Sequence, residues 1–415
     1  MNEPNHSARP GGLKLPAVSA QALGIYVAAL AIFILLSLLA PGFLTLGNLR
    51  DVAVSACINA IIGLGVTFVI ITGGIDLSVG SIASFAGIVS ATLMVDHGVT
   101  PVAGLFIGLL AGAICGLANG ALVTGLKLPP FIATLGTMSV FQGCAYVVTE
   151  GDPVYDVPQS FVFMLNSYIG GIPTGVALVL LIGLVTWLLL RRTVFGENVI
   201  AVGGSQETAW LSGIPVKRIK LGVYALSGAL AGLGGLVLVA RISAAQPEGG
   251  SPYLLTAIAA AVIGGANLMG GEERIAGTLV GALILGALTN GLVLLNVPSF
   301  YEQIVTGAVV IVAVAVDQGA KGWPMLRGRP TDPPALPSPH TTWHSASRYC
   351  PRRPSPPRVP LRPVRRREHD CAPGSGRSAG ESPRCRRTPP PVQLQPPVLP
   401  LAGAARRAGI SLPRR

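Results

Sequence analysis

The amino-acid sequence predicts an all-α polytopic membrane protein. Half of its 415 residues are hydrophobic, only 12% are charged, and the mean hydropathy is +0.61. A soluble protein of this length would carry about twice that share of charged residues. A helix across a bilayer needs about 20 mainly apolar residues, and about ten stretches meet this requirement. These stretches lie near residues 22–40, 52–72, 79–95, 102–124, 130–149, 173–190, 221–240, 253–268, 275–296 and 300–316.

The basic residues between these stretches predict which loops face the cytoplasm, because short cytoplasmic loops are enriched in Lys and Arg. If the N-terminus is inside, the same side receives Lys127, the basic loop at 191–220, Arg274 and Lys321. The opposite side receives the loop at 150–172, which has acidic residues but no Lys or Arg. We therefore expect a multi-pass protein whose N- and C-termini both lie in the cytoplasm.

The distribution of charge also divides the chain. Residues 326–415 are rich in Pro and hold 18 of the 30 Lys and Arg residues but only 4 of the 18 Asp and Glu residues. The remainder is nearly neutral, so the net charge of +12 does not indicate a nucleic-acid partner. We expect a cytoplasmic segment at 1–20, a transmembrane domain at 21–320 and a disordered tail at 326–415. Three interpretations of the tail stay open: a PxxP ligand, a polybasic arm on anionic lipid, or translation out of the native frame.

A break in the apolar sequence is the first candidate site. The stretch "ITGGIDLSVGS" at 71–81 interrupts a run of Val, Ile and Leu. Gly73 and Gly74 are expected to end one helix, and Asp76 is expected to be the N-cap of a helix that begins at Leu77. Broken backbone at membrane depth is tolerated only where protein buries it or where it lines a water-filled cavity. Asp76 therefore either holds the break or binds solute, since carboxylates inside membranes are commonly functional.

A second candidate site lies in the basic loop at 191–220. Its segment "SQETAWLSGI" at 205–214 predicts a short helix that Ser205 caps and Gly213 ends. One side of this helix would present a small apolar face. The segment is either a docking site for another polypeptide or an ordinary amphipathic helix at the membrane surface. The residues assigned to this surface are Glu207, Ala209, Leu211, Ser212 and Gly213.

Catalytic and nucleotide-binding motifs are missing from the membrane-spanning sequence. Before the tail at 326–415, it contains no GxxxxGK[ST] phosphate loop, no HExxH, no GxSxG, and no series of intramembrane Asp, Glu or His residues for proton transfer. The six Cys residues form no CxxC pair, so neither zinc nor disulfides are expected. We expect that the chain is not an enzyme and holds no cofactor or metal. Energy to move a solute uphill would have to come from another polypeptide.

Six segments, in order along the chain, resemble one family. They are "TGGIDLSVGS" (72–81), "LPPFIATLGTM" (128–138), "AVGGSQETAWLSGIPVKRIK" (201–220), "ARISAAQPEGGSPYLLTAIAAAVIGG" (240–265), "GTLVGALILGALTNGLVLL" (277–295) and "AVAVD" (313–317). Over about residues 20–320 the chain resembles the ribose-type permease subunits of bacterial ABC sugar importers. It departs from their pattern at Leu254, where they commonly have Glu, and at "GGEER" (270–274). These departures leave the identity of the solute open.

The resemblance implies a type II-like ABC importer permease, homodimeric and surrounded by lipid in the bacterial inner membrane. It implies two protein partners: a separate ABC ATPase subunit, which binds the ATP, and a periplasmic solute-binding protein. It also implies that the surface around Ala209 and Leu211 is the coupling helix that contacts the ATPase. The solute would be a pentose, a hexose or a related polyol. A branched-chain amino-acid permease, an ion-coupled secondary transporter and a membrane scaffold remain as alternatives.

Two Asn residues complete the predicted solute pathway. The segments "NGALVTGLKLPPF" (119–131) and "NGLVLLNVPSFY" (290–301) resemble each other and would end on opposite sides of the membrane, as an inverted repeat requires. Asn119 and Asn290 would be equivalent positions, and each either faces the pathway or ties helices together. The candidate pathway residues are Asp76, Ser78, Asn119 and Asn290.

Overall fold

The computed structural model describes residues 20–311, apart from 268–269, 272–273, 299–300, 302 and 310. The tail predicted at 326–415, and all but the last residue of the segment predicted at 1–20, lie outside the described residues. The helices are α1 (Ala20–Leu39), α2 (Leu46–Ile71), α3 (Val79–Asp96), α4 (Pro101–Gly125), α5 (Pro130–Thr149), α6 (Gln159–Leu165), α7 (Thr174–Arg192), α8 (Val194–Gly204), α9 (Gln206–Leu211), α10 (Val216–Ile242), α11 (Ser251–Ile263) and α12 (Ile275–Leu294). A hairpin of β1 (Tyr168–Ile169) and β2 (Ile172–Pro173) precedes α7.

Seven of these helices, α2, α3, α4, α5, α7, α10 and α12, are long and apolar enough to cross a membrane. Helices α1 and α11 are apolar but contribute shorter segments, 25–39 and 251–263. The last predicted stretch begins in a helical region at 301, 303–309 and 311, and its end lies outside the described residues. Each predicted stretch thus coincides with helical residues, which confirms an all-α polytopic fold.

The centre of the bundle consists of α2 and α10, which are the most deeply buried of the long helices. Helix α10 packs against α4, α2 and α3, and α2 also contacts α11 and α12. Hydroxyl and amide groups add ties between these helices. The hydroxyls of Thr67 and Thr278 lie 2.8 Å apart, and Thr256 donates a 2.6 Å hydrogen bond to Asn59 Oδ1. Lipid tails are as apolar as the apolar side chains of the helices, so the hydrophobic effect does not drive the helices together. Close packing and polar contacts such as these hold them instead.

Close approach of α4 and α10 depends on glycine. A Cβ atom on Gly112 would overlap the carbonyl oxygen of Gly228, and one on Gly116 would overlap the carbonyl oxygen of Tyr224. The two helix backbones therefore touch directly along this contact. Small residues let membrane helices approach this closely, which strengthens their van der Waals packing.

The outer surface of the bundle is apolar, as a lipid-facing surface must be. Helices α4, α5 and α7 are largely exposed along their apolar lengths. Large exposed side chains on them include Phe106, Leu110, Ile114, Phe131, Ile132, Val140, Val147, Leu180, Leu181 and Leu184.

The loops gather into two groups. The end of α2 meets the loop between α11 and α12, because Gly271 N donates a 3.0 Å hydrogen bond to the carbonyl of Ile71. The end of α8 joins this group, since Gly203 lies against Ile71 as well. At the other end, Val154 and Ala245 pair through two 2.9 Å backbone hydrogen bonds.

Some local structure was not predicted. The loop at 191–220 contains the additional helix α8, and α10 begins at Val216 rather than near residue 221. The loop at 150–172 contains α6 and β1. The predicted stretch at 253–268 is also too long, because α11 ends at Ile263 and is followed by Gly264 and Gly265.

Candidate functional site

The break between α2 and α3 spans residues 72–78 and lies inside the protein. Helix α2 ends at Ile71, and Gly73 then adopts a φ of +72°, a left-handed conformation that favours glycine. Gly74 is required for space, because a Cβ atom there would lie 2.9 Å from the Tyr224 hydroxyl. In the structure, the helix thus breaks at these two glycines.

Asp76 does not occupy the predicted N-cap position. Helix α3 begins at Val79 with Ser78 as its N-cap residue, two positions later than expected. Asp76 Oδ1 accepts hydrogen bonds from the Ser78 backbone N–H at 2.9 Å and from the Ser78 hydroxyl at 2.7 Å. The carboxyl group thus closes a tight turn ahead of the helix, because a short polar side chain readily binds the backbone two residues on.

Ser78 and Asn119 join the break to α4. Asn119 Nδ2 donates a 2.6 Å hydrogen bond to Ser78 Oγ, which in turn donates to Asp76. All three side chains are fully buried. Three of the four predicted pathway residues therefore form one hydrogen-bonded chain, and none of them reaches the protein surface in this conformation.

Helix α5 supports the same break from another side. The hydroxyl of Thr134 accepts a 3.1 Å hydrogen bond from the backbone N–H of Leu77 and lies 3.2 Å from the carbonyl oxygen of Ile75. Thr134 is itself fully buried. Backbone groups that the broken helix leaves open are in this way satisfied by a neighbouring helix, as the apolar surroundings demand.

Several buried polar atoms of the break, α4 and α10 have no hydrogen-bond partner within the described residues. Among the described residues, Asp76 Oδ2, Asn119 Oδ1, the Tyr224 hydroxyl and the Ser227 hydroxyl are buried without a hydrogen-bond partner. The Tyr224 hydroxyl lies against Gly74 in the break, and Ser227 follows one turn later on α10. Sequence reasoning missed both residues, although isolated polar groups in the apolar α10 are the signal that could have found them.

Asn290 lies apart from the other predicted pathway residues. It is on α12, which packs against α1, α2, α7 and α11, whereas Asn119 is on α4. Asn290 is half-buried, and its Oδ1 has no hydrogen-bond partner within the part of the chain that the structure describes.

The second candidate site is the short helix α9, whose ends are as predicted. Ser205 is the N-cap, and its hydroxyl accepts a 3.2 Å hydrogen bond from the Thr208 backbone N–H. Ser212 is the C-cap, and Gly213 follows with a φ of +84°. Glu207 is in the first turn and is exposed.

The exposed face of α9 differs from the predicted one. Ala209 is buried against the protein, with 3% of its surface exposed, and its carbonyl accepts a hydrogen bond from Ile214 N. Leu211, which was assigned to this face, is 71% exposed, and Trp210, which was not, is 68% exposed. A six-residue helix is too short for its apolar pattern to indicate which side faces the protein.

The two candidate sites differ in chemical character. Over the residues the structure describes, no group of three or more His, Cys, Asp or Glu residues is placed to hold a metal ion. The first site is the buried, hydrogen-bonded break between α2 and α3. The second is the short helix α9, which exposes two large apolar side chains on a basic loop.

Comparison with known proteins identifies the family. Residues 48–314 match the family model described as the permease component of branched-chain amino acid transport systems. The chain is 43% identical over 300 residues to the ribose import permease protein RbsC of Bacillus subtilis, covering 72% of this chain and 93% of that protein.

Two further relatives are named for other sugars. The D-allose transport system permease protein AlsC of Escherichia coli is 40% identical over 71% of this chain and 90% of its own length. The L-arabinose ABC transporter permease protein AraH of Azospirillum brasilense is 40% identical over 71% of this chain and 87% of its own length. A chain with these matches and seven membrane-length helices belongs to the family of multi-pass membrane permease components of transport systems.

Proposed function

We propose that the chain is the permease subunit of an ATP-binding-cassette importer that carries a monosaccharide, either a pentose, a hexose or a related polyol, across the bacterial inner membrane. The observation that carries this proposal is its similarity, over most of their lengths, to permeases named for ribose, allose and arabinose. The protein is thus a transporter and not an enzyme, and ATP binds to a separate subunit.

The ATPase subunit binds at α9 in this proposal. Trp210 and Leu211 offer two large apolar side chains to a cleft, and the exposed basic residues Lys217 and Arg218 follow in the first turn of α10. The side from which the ATPase acts is the cytoplasmic one, which also holds both chain termini. Glu207, Ser212 and Gly213 border the contact.

The remaining partners follow from the same assignment. A periplasmic solute-binding protein docks on the outer side, where the loop at 150–172 lacks basic residues. A second copy of the chain binds along α5. Gly136 and Gly143 on that helix face open space, and an exposed Ser139 lies between them, as on surfaces where membrane helices meet.

The polar chain at the break borders the solute pathway in this proposal. Asp76, Ser78 and Asn119 hold the broken segment, and their unsatisfied neighbours offer hydroxyl and carbonyl oxygens of the kind that sugars bind. Asn290 lines the pathway from α12. The pathway opens and closes as the partner ATPase moves the cytoplasmic loops.

Uptake measurements test the proposal. Energised membrane vesicles loaded with ATP and supplied with periplasmic extract are given radiolabelled ribose, allose or arabinose. We expect uptake of at least one sugar that orthovanadate abolishes and that an uncoupler leaves intact. Vesicles from a strain that lacks the chain are the control. Uptake that resists vanadate but stops with the uncoupler would instead identify an ion-coupled transporter, and no uptake of any sugar would remove the proposed substrate class.

A second candidate substrate class is the branched-chain amino acids, because the matching family model is described by them. The same vesicles given radiolabelled leucine decide between the two classes. We expect no vanadate-sensitive leucine uptake above the deletion control.

A further inference from the structure

Three chain segments meet at a junction made almost entirely of backbone. Gly203, at the end of α8, lies so close to Ile71 that a Cβ atom on it would overlap the Ile71 carbonyl oxygen. Such an atom would also lie 2.7 Å from Gly271 N. From the third segment, a Cβ atom on Gly270 would lie 2.9 Å from the Ile71 carbonyl oxygen, 3.0 Å from the Gly203 carbonyl oxygen and 3.1 Å from Gly73 N.

Each segment at this junction leads to a different functional element. Gly203 lies three residues before Gln206, the first residue of the exposed helix α9. Ile71 is the last residue of α2, and the break that contains Asp76 begins directly after it. Gly270 and Gly271 belong to the loop that leads into α12, and the Gly271 N–H donates to the Ile71 carbonyl. That carbonyl is one of the groups that the end of a helix leaves without an intrahelical partner.

Direct backbone contact transmits displacement well. Flexible side chains between two segments can change rotamer and absorb a shift, whereas packed backbones cannot move independently without overlap or loss of the hydrogen bond. A shift of α9 at Gly203 is therefore passed to Ile71 and to the first residue of the break, Thr72.

We infer that Gly203 and Gly270 are positioning residues that transmit movement of α9 to the α2–α3 break. The inference rests on the proposed function, because it assumes that a partner ATPase moves α9. It adds the route by which that movement reaches the buried chain of Asp76, Ser78 and Asn119. The residues act through Ile71 and do not touch the solute.

Neighbouring glycines provide a matched test. Gly203→Ala places a methyl group on the Ile71 carbonyl, whereas Gly204→Ala places one where no other atom lies within 4 Å. We expect Gly203→Ala to be inserted in membranes and to co-purify with ATP hydrolysis activity at levels within about twofold of wild type. Sugar uptake should fall at least tenfold, while Gly204→Ala should match wild type throughout. Wild-type uptake in Gly203→Ala would overturn the inference.

A second pair approaches the junction from the opposite side. Gly270 has a φ of +89°, so Gly270→Ala adds backbone strain as well as contact with Ile71. Gly98→Ala is the control for strain, because Gly98 has a φ of +63° and open space around it. We expect loss of uptake with retained ATPase association in Gly270→Ala and normal uptake in Gly98→Ala. Equal uptake in the two variants would contradict the inference.

Hydrogen exchange in the wild-type complex tests whether movement of α9 reaches the α2–α3 break, even if the variants are poorly inserted. The permease bound to its ATPase is compared with and without trapping by ATP and vanadate, and deuterium uptake is followed in peptides over 66–78 and 198–206. We expect exchange to change in both peptides on trapping. A change confined to 198–206 would overturn the inference, since the break would then not follow α9. The proposed function is judged separately, by vanadate-sensitive uptake in the wild-type protein.

Discussion

The hydroxyl of Ser78 donates a 2.7 Å hydrogen bond to Asp76 Oδ1, and the same oxygen accepts from the Ser78 backbone N–H. Because Asn119 donates to the Ser78 hydroxyl at 2.6 Å, this one serine connects the break to α4. Removal of the hydroxyl would leave the Asn119 amide buried without this acceptor.

Ser78→Ala is therefore expected to destabilise the protein by about 1–3 kcal/mol, the usual cost of leaving a buried polar group unsatisfied. Ser227→Ala is the matched control, since Ser227 is equally buried but its hydroxyl has no hydrogen-bond partner among the described residues. The melting temperatures of the two purified variants in detergent measure these changes in stability. Equal melting temperatures for the two variants would show that the Ser78 contact contributes nothing.

Asp76→Asn and Asp76→Ala separate the role of the oxygen from that of the charge. Asn keeps one side-chain oxygen, which can accept both hydrogen bonds from Ser78, whereas Ala removes the acceptor. We expect Asn to retain sugar uptake within about threefold and Ala to lose most of it, with membrane levels measured by immunoblot. If both variants lose uptake at normal membrane levels, the charge itself is required and the turn-closing role does not suffice.

The glycine contacts between α4 and α10 lead to a second prediction about the stability of the protein. Gly116→Ala should force the two helices apart, because the new methyl group would overlap the Tyr224 carbonyl. Gly125→Ala lies on the same helix with open space and should leave the melting temperature unchanged or raised, since Ala favours helix over Gly. Overpacking typically costs about 1–3 kcal/mol. A Gly116→Ala protein as stable as Gly125→Ala would mean that the helices separate without cost.

The exposed side chains of α9 predict how ATPase association is lost. Leu211→Glu places a charge on the proposed contact without disturbing packing, because Leu211 is exposed. We expect normal insertion, loss of co-purified ATP hydrolysis and loss of uptake. Ile169→Glu, at a similarly exposed position on the β1–β2 hairpin, should leave insertion and co-purified ATP hydrolysis unchanged. Retained co-purification in Leu211→Glu would remove α9 from the contact.

Ala209→Glu should behave differently from Leu211→Glu. Ala209 is buried within the chain itself, so a charge there is expected to reduce the amount of folded protein in the membrane as well as ATPase association. Fluorescence size-exclusion profiles of the two variants measure this difference. A monodisperse Ala209→Glu protein at wild-type level would show that α9 can lift from the bundle.

Deletion of residues 326–415 is expected to leave uptake intact. The family match ends at residue 314, and the tail is dominated by Pro and Arg, which cannot form a hydrophobic core. Uptake by the truncated chain at equal membrane level is the measurement. Loss of uptake with normal insertion would show that the tail is required for transport.

The long helices and the break could be predicted from the sequence, but the distant residues that pack against them could not. Runs of apolar residues report their own length, and Gly73 and Gly74 mark the end of α2 within the sequence itself. Tyr224 is 150 residues or so along the chain from the break, and no local pattern indicates that its hydroxyl faces Gly74. The orientation of Ala209 was missed for a similar reason, because contacts of α9 with α8 and α10 decide it.

Helix α11 has a consequence for the shape of the lipid boundary. Its 13 residues span about 20 Å, less than the hydrocarbon thickness of about 30 Å. The chain before it, 243–250, turns back into the protein, where Gly250 N binds the hydroxyl of Ser84 in α3 at 2.8 Å. The exposed Gln246 and Glu248 lie on this segment. Since such side chains are costly in hydrocarbon, we expect water to reach this segment and the short α11 to begin inside the width of the hydrocarbon layer.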